Sequence, residues 1–107
     1  TNYLKANGKR IVNCDELKLI GVHNYLNCLA SLALLHCIGV DIYADSIKNG
    51  LLEFDGLEHR MQKVITHNGI TYIEDSKGTN VGAVIAGISG LDKPVHIILG
   101  GDGKGQD

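Results

Sequence analysis

The sequence has no surplus of positive charge, no Cys-x-x-Cys pair and no long apolar run, and each absence removes a class of function. Ten Lys and Arg stand against twelve Asp and Glu, a formal net charge of -2. A nucleic-acid binder needs a basic face, so nucleic acid is not expected as a main partner. Three cysteines, Cys14, Cys28 and Cys37, are an odd number, which argues against a disulfide framework and against a cysteine zinc site. On one helix, Cys28 and Cys37 would lie roughly 13 Å apart by helical rise, beyond the ~7 Å Cα separation that a disulfide spans. Reduced, mostly buried thiols in a reducing compartment are therefore expected. No stretch reaches the ~18 apolar residues of a membrane span, and the N-terminus has neither the charged start nor the apolar core of a signal peptide. A soluble, cytoplasmic chain without a membrane partner is the expectation. The chain starts at Thr1 rather than Met and stops at Gln106-Asp107 directly after a glycine loop, so both ends are expected to be cuts in a longer chain.

What is present is ordinary globular composition: 107 residues, 44% hydrophobic and 21% charged, enough for a core. Tyr3 to Asn13 reads as a hairpin, with Asn7-Gly8 supplying the positive φ angles of a two-residue turn. From about Asn24 to Ile38 the residues Leu26, Leu29, Ala30, Ala33, Leu34 and Cys37 recur at helical spacing, with Gly39 as the stop. Asp45 or Ser46 is the expected cap of a second helix to about Phe54, striped by Ile47, Leu51 and Phe54 and packed on the first. Met61, Val64 and Ile65, then His67-Asn68-Gly69, then Ile70, Tyr72 and Ile73 read as two strands and a turn. A helix over Val81 to Ile88, capped by Thr79 or Asn80, precedes Val95 to Leu99, an apolar run of buried-strand type. Strand, helix, strand and glycine loop in that order predict an α/β unit whose ligand site lies at the carboxyl ends of parallel strands.

Two loops could carry chemistry. Gly100-Gly101-Asp102-Gly103-Lys104-Gly105 could turn backbone N–H groups around an anion while Lys104 adds charge, although it lacks the spacing of a Walker A loop and a plain turn competes. Asp75-Ser76-Lys77-Gly78-Thr79-Asn80 sits where strand gives way to helix, a place that favours anions, against the alternative of a simple capped helix entry. Asn24 and Asn27 place amides at the start of the first helix, where an amide either caps or pairs with an adenine edge. Arg60 follows His59 near the predicted domain boundary, clamping phosphate or merely solvated. His36, His67 and His96 show no metal-site spacing. Glu53, Glu58 and Glu74 form no recognisable catalytic pair.

Taken in order, Gly21-Val22-His23-Asn24-Tyr25-Leu26-Asn27, Phe54-Asp55-Gly56-Leu57-Glu58-His59-Arg60, Asp75-Ser76-Lys77-Gly78-Thr79-Asn80 and Leu99-Gly100-Gly101-Asp102-Gly103-Lys104-Gly105 resemble the Mur ligase family, and within it the D-glutamate-adding branch. The resemblance covers nearly the whole chain. It implies an α/β fold in two parts: residues 1–57 as the end of a P-loop-type central ATPase domain, a hairpin plus helices, and residues 58–107 as the start of a Rossmann-like C-terminal domain that receives the amino acid. It implies an ATP- and Mg²⁺-dependent amide ligase acting on UDP-N-acetylmuramoyl-L-alanine and D-glutamate, monomeric, with its metal ligands outside this chain and none within it. By the same resemblance Asn24, Asn27, Arg60 and Asp75 contact ATP, Lys77 and Arg60 are the catalytic cations, and Thr79 and Lys104 hold D-glutamate. Gly78 stands where the family usually has Ala, and Glu74 where it usually has Asn or Asp. The competing expectations are another amide ligase of the same superfamily, of folylpolyglutamate synthase type, or a non-catalytic nucleotide-binding module.

Overall fold

The computed structural model describes residues 2–103 and 105. They form two compact units, Thr1–Asp55 and Gly56–Asp107. The architecture is small α/β: two separate two-stranded antiparallel sheets and three α-helices among the described residues.

In the first unit, strands β1 (Tyr3–Ala6) and β2 (Lys9–Asn13) pair across the predicted Asn7-Gly8 turn, where both residues have positive φ, 48° and 77°. Opposed Leu4 and Val12 are each only 2% exposed and found the core. Beyond them the register shifts, leaving Ile11 as a bulge between the Leu4–Val12 and Lys5–Arg10 pairs. A single 3-10 turn, Cys14–Glu16, follows, with the Asn13 side chain accepting from the Asp15 amide at 3.1 Å.

Helix α1 (Val22–Cys37) packs on β1, and helix α2 (Asp45–Glu53) packs on β2. Cys28, Leu32 and Ile42 join Leu4, Val12, Cys14 and Leu17 in one cluster, with Tyr25, Leu29, Leu35, Ile47, Leu51 and Leu52 packed around it. This corrects the predicted stripe of α1. Leu26 and Leu34, expected inward, are 60% and 69% exposed. The helix is apolar around most of its circumference, so spacing alone does not choose a face, and a two-stranded hairpin covers only one. The C-terminus ends as expected at Gly39, φ 85°. The Gly39 amide donates to His36 at 3.0 Å and the Val40 amide to Leu35 at 3.0 Å, a Schellman motif.

Two predicted caps are also corrected. Helix α1 begins two residues earlier than expected, with Gly21 rather than Asn24 as its N-cap. Helix α2 is capped by Ala44 with no side-chain bond. Asp45 falls inside its first turn, where a carboxylate still complements the helix dipole. At the other end the Lys18 ammonium donates to the Glu53 carbonyl at 3.0 Å.

In the second unit, strands β3 (Gln62–His67) and β4 (Ile70–Glu74) form a hairpin around Asn68-Gly69, φ 49° and 78°. Helix α3 (Val81–Ser89) is capped by Asn80, whose side chain accepts from the Ala83 amide at 2.8 Å. The run Val95 to Leu99 is not a strand: it carries no regular structure, and Ile98 is 99% exposed. A buried parallel strand needs neighbours on both sides, and the sheets among the described residues are antiparallel pairs. The expected succession of parallel strands is therefore absent among the described residues.

The two faces of α1 are separable by substitution. Leu32→Ala should cost about 2–5 kcal/mol, the range for a truncated buried leucine, whereas Leu34→Ala, two residues on, should cost under about 0.5 kcal/mol. Urea unfolding followed by far-ultraviolet circular dichroism measures both. Equal losses would mean that α1 buries the other stripe.

Candidate functional site

In the first unit, the residues in question gather at the start of α1. Gly21 has φ 96°, and a Cβ there would lie 2.8 Å from the His23 ring, so only glycine fits both the angle and the space. The Asn24 amide donates back to the Ile20 carbonyl at 2.7 Å, and the Asn27 amide donates to Asn24 Oδ1 at 3.4 Å. Asn24 therefore staples the helix entry instead of capping it. Asn27 is the outer, exposed member of the pair, with its own carbonyl and a second amide hydrogen left for another partner by the donor and acceptor inventory of the side chain. His23 Nδ1 is buried and has no hydrogen-bond partner.

In the second unit, the segment carrying Arg60 is pinned to the segment carrying Lys77. The Lys77 amide donates to the His59 carbonyl at 3.1 Å, and the Met61 amide donates to Asp75 Oδ1 at 3.0 Å. His59 Nδ1 lies 2.7 Å from Glu74 Oε2, while Glu74 Oε1 accepts from the Ser76 amide at 2.8 Å. Arg60 stands between two non-glycine residues with positive φ, His59 at 65° and Met61 at 45°. Such angles cost free energy and persist where the surroundings enforce them. Here those hydrogen bonds do so. The Arg60, Lys77 and Thr79 side chains are exposed, and Asp75 is partly buried.

Glycines complete the packing. A Cβ at Gly87 of α3 would meet the Met61 sulfur at 2.9 Å, and one at Gly78 would meet Asp75 Oδ2 at 2.7 Å and the Asp75 carbonyl at 3.1 Å. Hydrogen bonds from Ser76, and then from His59, hold the Glu74 carboxyl down from the usual 4.5 to about 2. It is thus a carboxylate at neutral pH and acts only as an acceptor, so His59 Nδ1 carries the shared hydrogen.

The structure thus brings Arg60, Asp75 and Lys77 onto adjoining backbone segments of one unit, and Asn24 with Asn27 onto one helix turn of the other. Thr79 is exposed beside them, its amide bonded to the Lys77 carbonyl at 2.9 Å, and Asn80 takes the cap. Lys104 lies outside the described residues. Among the described residues no group of three or more His, Cys, Asp or Glu side chains is placed to hold a metal ion, and no helix is long and apolar enough to cross a membrane. Sequence reasoning missed the His59–Glu74 link. The available signal was the hairpin itself: pairing Gln62 with Glu74 brings the residues just before β3 beside those just after β4.

No family model matches the chain. It is 45% identical over 108 residues to the UDP-N-acetylmuramoylalanine--D-glutamate ligase of Pasteurella multocida (strain Pm70), covering 99% of this chain and 24% of that protein. To the enzyme of the same name from Haemophilus influenzae (strain ATCC 51907 / DSM 11121 / KW20 / Rd) it is 48% identical over 107 residues, covering 98% and 24%. To that of Chromobacterium violaceum it is 45% identical over 105 residues, covering 98% and 23%. Over nearly its whole length the chain is similar to proteins named UDP-N-acetylmuramoylalanine--D-glutamate ligase. It spans about a quarter of the length of the curated relatives that it matches, 24% for the Pasteurella enzyme. All four motifs that carry the resemblance to the Mur ligases lie within a match of this extent.

The low Glu74 pKa has a testable sign. Between the ordinary carboxyl value of 4.5 and about 2, the unfolded chain binds more protons than the folded one, so stability falls as pH falls through this window. Above it the contribution is fully present. The Glu74 carboxyl ¹³C resonance should titrate with a midpoint near 2, and Glu74→Gln should flatten the loss of melting temperature between pH 5 and pH 2. A midpoint near 4.5 would remove the hydrogen-bonded carboxylate from the account.

Proposed function

We propose that the chain is part of an ATP-dependent ligase that forms the amide bond between D-glutamate and UDP-N-acetylmuramoyl-L-alanine, a cytoplasmic step in making cell-wall precursors. Residues 1–57 belong in this reading to the end of a P-loop-type central domain, and residues 58–107 to the beginning of a Rossmann-like domain for the amino acid. The observation that carries the proposal is the match of 45–48% identity over nearly the whole chain to proteins named for that ligation.

The chemistry that such a ligase performs sets what these residues must do. The acceptor carboxylate takes a phosphoryl group from ATP, the D-glutamate amine attacks the acyl phosphate, and the tetrahedral intermediate collapses to amide and phosphate. Negative charge passes between phosphate and carboxylate oxygens throughout, so fixed cations and positioning lower the barrier. Arg60 and Lys77 are the cations assigned to that task. Their support is the pair of backbone-anchored segments that hold residues 59–61 against 75–78. Asn27, seconded by Asn24, offers donor and acceptor together to an adenine edge. Asp75 has one oxygen engaged by Met61, which leaves Oδ2 for a ribose hydroxyl. Thr79 and Lys104 are assigned to the D-glutamate carboxylates. Mg²⁺ would supply charge neutralisation on the phosphates, and its ligands belong to residues outside this chain.

Two outcomes are expected from steady-state kinetics on the full-length protein carrying this sequence, with each substrate varied in turn. Asn27→Ala should raise KM for ATP several-fold more than that for D-glutamate, and it is a cleaner probe than Asn24→Ala, which also cuts the tie to Ile20. Equal effects on both substrates would assign the amide to helix structure. Lys104→Ala should lower kcat/KM for D-glutamate roughly 30-fold or more, as losing one partner of a desolvated charge pair costs on the order of 2–5 kcal/mol. An unchanged D-glutamate dependence would return Lys104 to solvent. Absence of any D-glutamate-dependent ADP release by the unmodified protein would defeat the proposed activity itself.

A further inference from the structure

Glu74 and His59 have no part in the chemistry proposed above, yet they hold the segment that does. Both oxygens of the Glu74 carboxylate are committed, Oε2 to the His59 ring at 2.7 Å and Oε1 to the Ser76 amide at 2.8 Å. His59 is fixed at three points: its ring by Glu74, its amide by Gln62 Oε1 at 3.1 Å, and its carbonyl by the Lys77 amide at 3.1 Å. Of these partners, Glu74 and Lys77 lie where β4 ends and just beyond it. The left-handed His59 backbone, φ 65°, is a conformation that a non-glycine residue holds only under such constraint. Arg60 follows directly.

We propose that Glu74 is a positioning residue: by bridging His59 and Ser76 it locks the Arg60 segment against the Lys77 segment, so that both cations serve one anionic transition state. The proposal rests on the assignment of Arg60 and Lys77 to the ligase chemistry. Glu74 touches no substrate in this account and acts only through the placement of Arg60. Length and charge both matter. Alanine removes both bonds. Glutamine keeps the length, and its one oxygen can accept from His59, but its amide group cannot accept from Ser76.

The test is a double-mutant cycle in the full-length protein carrying this sequence, read as kcat/KM for ATP. Glu74→Ala should lower it about tenfold, a coupling typical of groups in one hydrogen-bond network, and Glu74→Gln by about threefold. In an Arg60→Ala background both substitutions should have almost no further effect. A residue that merely stabilises the fold would cost the same with or without Arg60, so full effects of Glu74→Ala and Glu74→Gln in the Arg60→Ala background overturn the proposal. An unaltered kcat/KM in the singly substituted Glu74 variants also overturns it. Should the alanine variant not fold, the cycle built on Glu74→Gln decides the matter in the same way. If Arg60→Ala alone leaves ATP use intact, the assignment of Arg60 falls and this proposal falls with it. If Arg60→Ala is damaging and the cycle is additive, only the role of Glu74 falls.

Discussion

Glu74 and Asp75, neighbouring carboxylates where β4 ends, grip the stretch that precedes β3 from two sides: one takes the His59 ring, the other the Met61 amide. Between those grips lies Arg60, flanked by two residues in left-handed backbone. The hairpin β3–β4 would pair without this contact, as its turn and register are local. The Gly56–Met61 stretch forms no regular structure, so it is held by single hydrogen bonds, these two among them. The backbone on either side of Arg60 is thus tied to two adjacent acids.

The first unit obeys a different constraint. Its core is a small apolar cluster on one face of a two-stranded hairpin, and one polar chain, from Ile20 through Asn24 to Asn27, marks where helix α1 begins. Here the polar groups sit at the edge of the packing and fix an orientation, while hydrophobic burial supplies the stability. In the second unit the roles are reversed: among its described residues Gly87 alone is buried, and hydrogen bonds to carboxylates organise the loops.

Short-range chemistry was readable from sequence at the hairpin turns and at two helix ends, though not at the N-caps of α1 and α2. Asn7-Gly8 and Asn68-Gly69 specify their hairpins, Gly39 ends α1, and Asn80 caps α3. The inward face of α1 was not readable, because Leu26 and Leu34 are as apolar as Leu29 and Leu32 and only the width of the hairpin separates them. The run Val95 to Leu99 has strand composition, yet a strand is a pairing, and pairing depends on residues far away in sequence. Lys77, Arg60, Asn24 and Asn27 could be singled out because each sits in a local motif. The His59–Glu74 bond follows from no local motif, only from the register of the hairpin that brings its partners together.

Gly78 gives this corner of the second unit its shape. Its missing Cβ is the space that the Asp75 carboxylate fills: Oδ2 is too near for a methyl group, and the Asp75 carbonyl would be a tight contact. A methyl group at 78 would press on the free end of the Asp75 side chain, and any turn of that carboxylate moves the oxygen that accepts from the Met61 amide. The absence of a side chain at 78 is thus what lets one carboxylate pack closely and hold the Met61 amide at once.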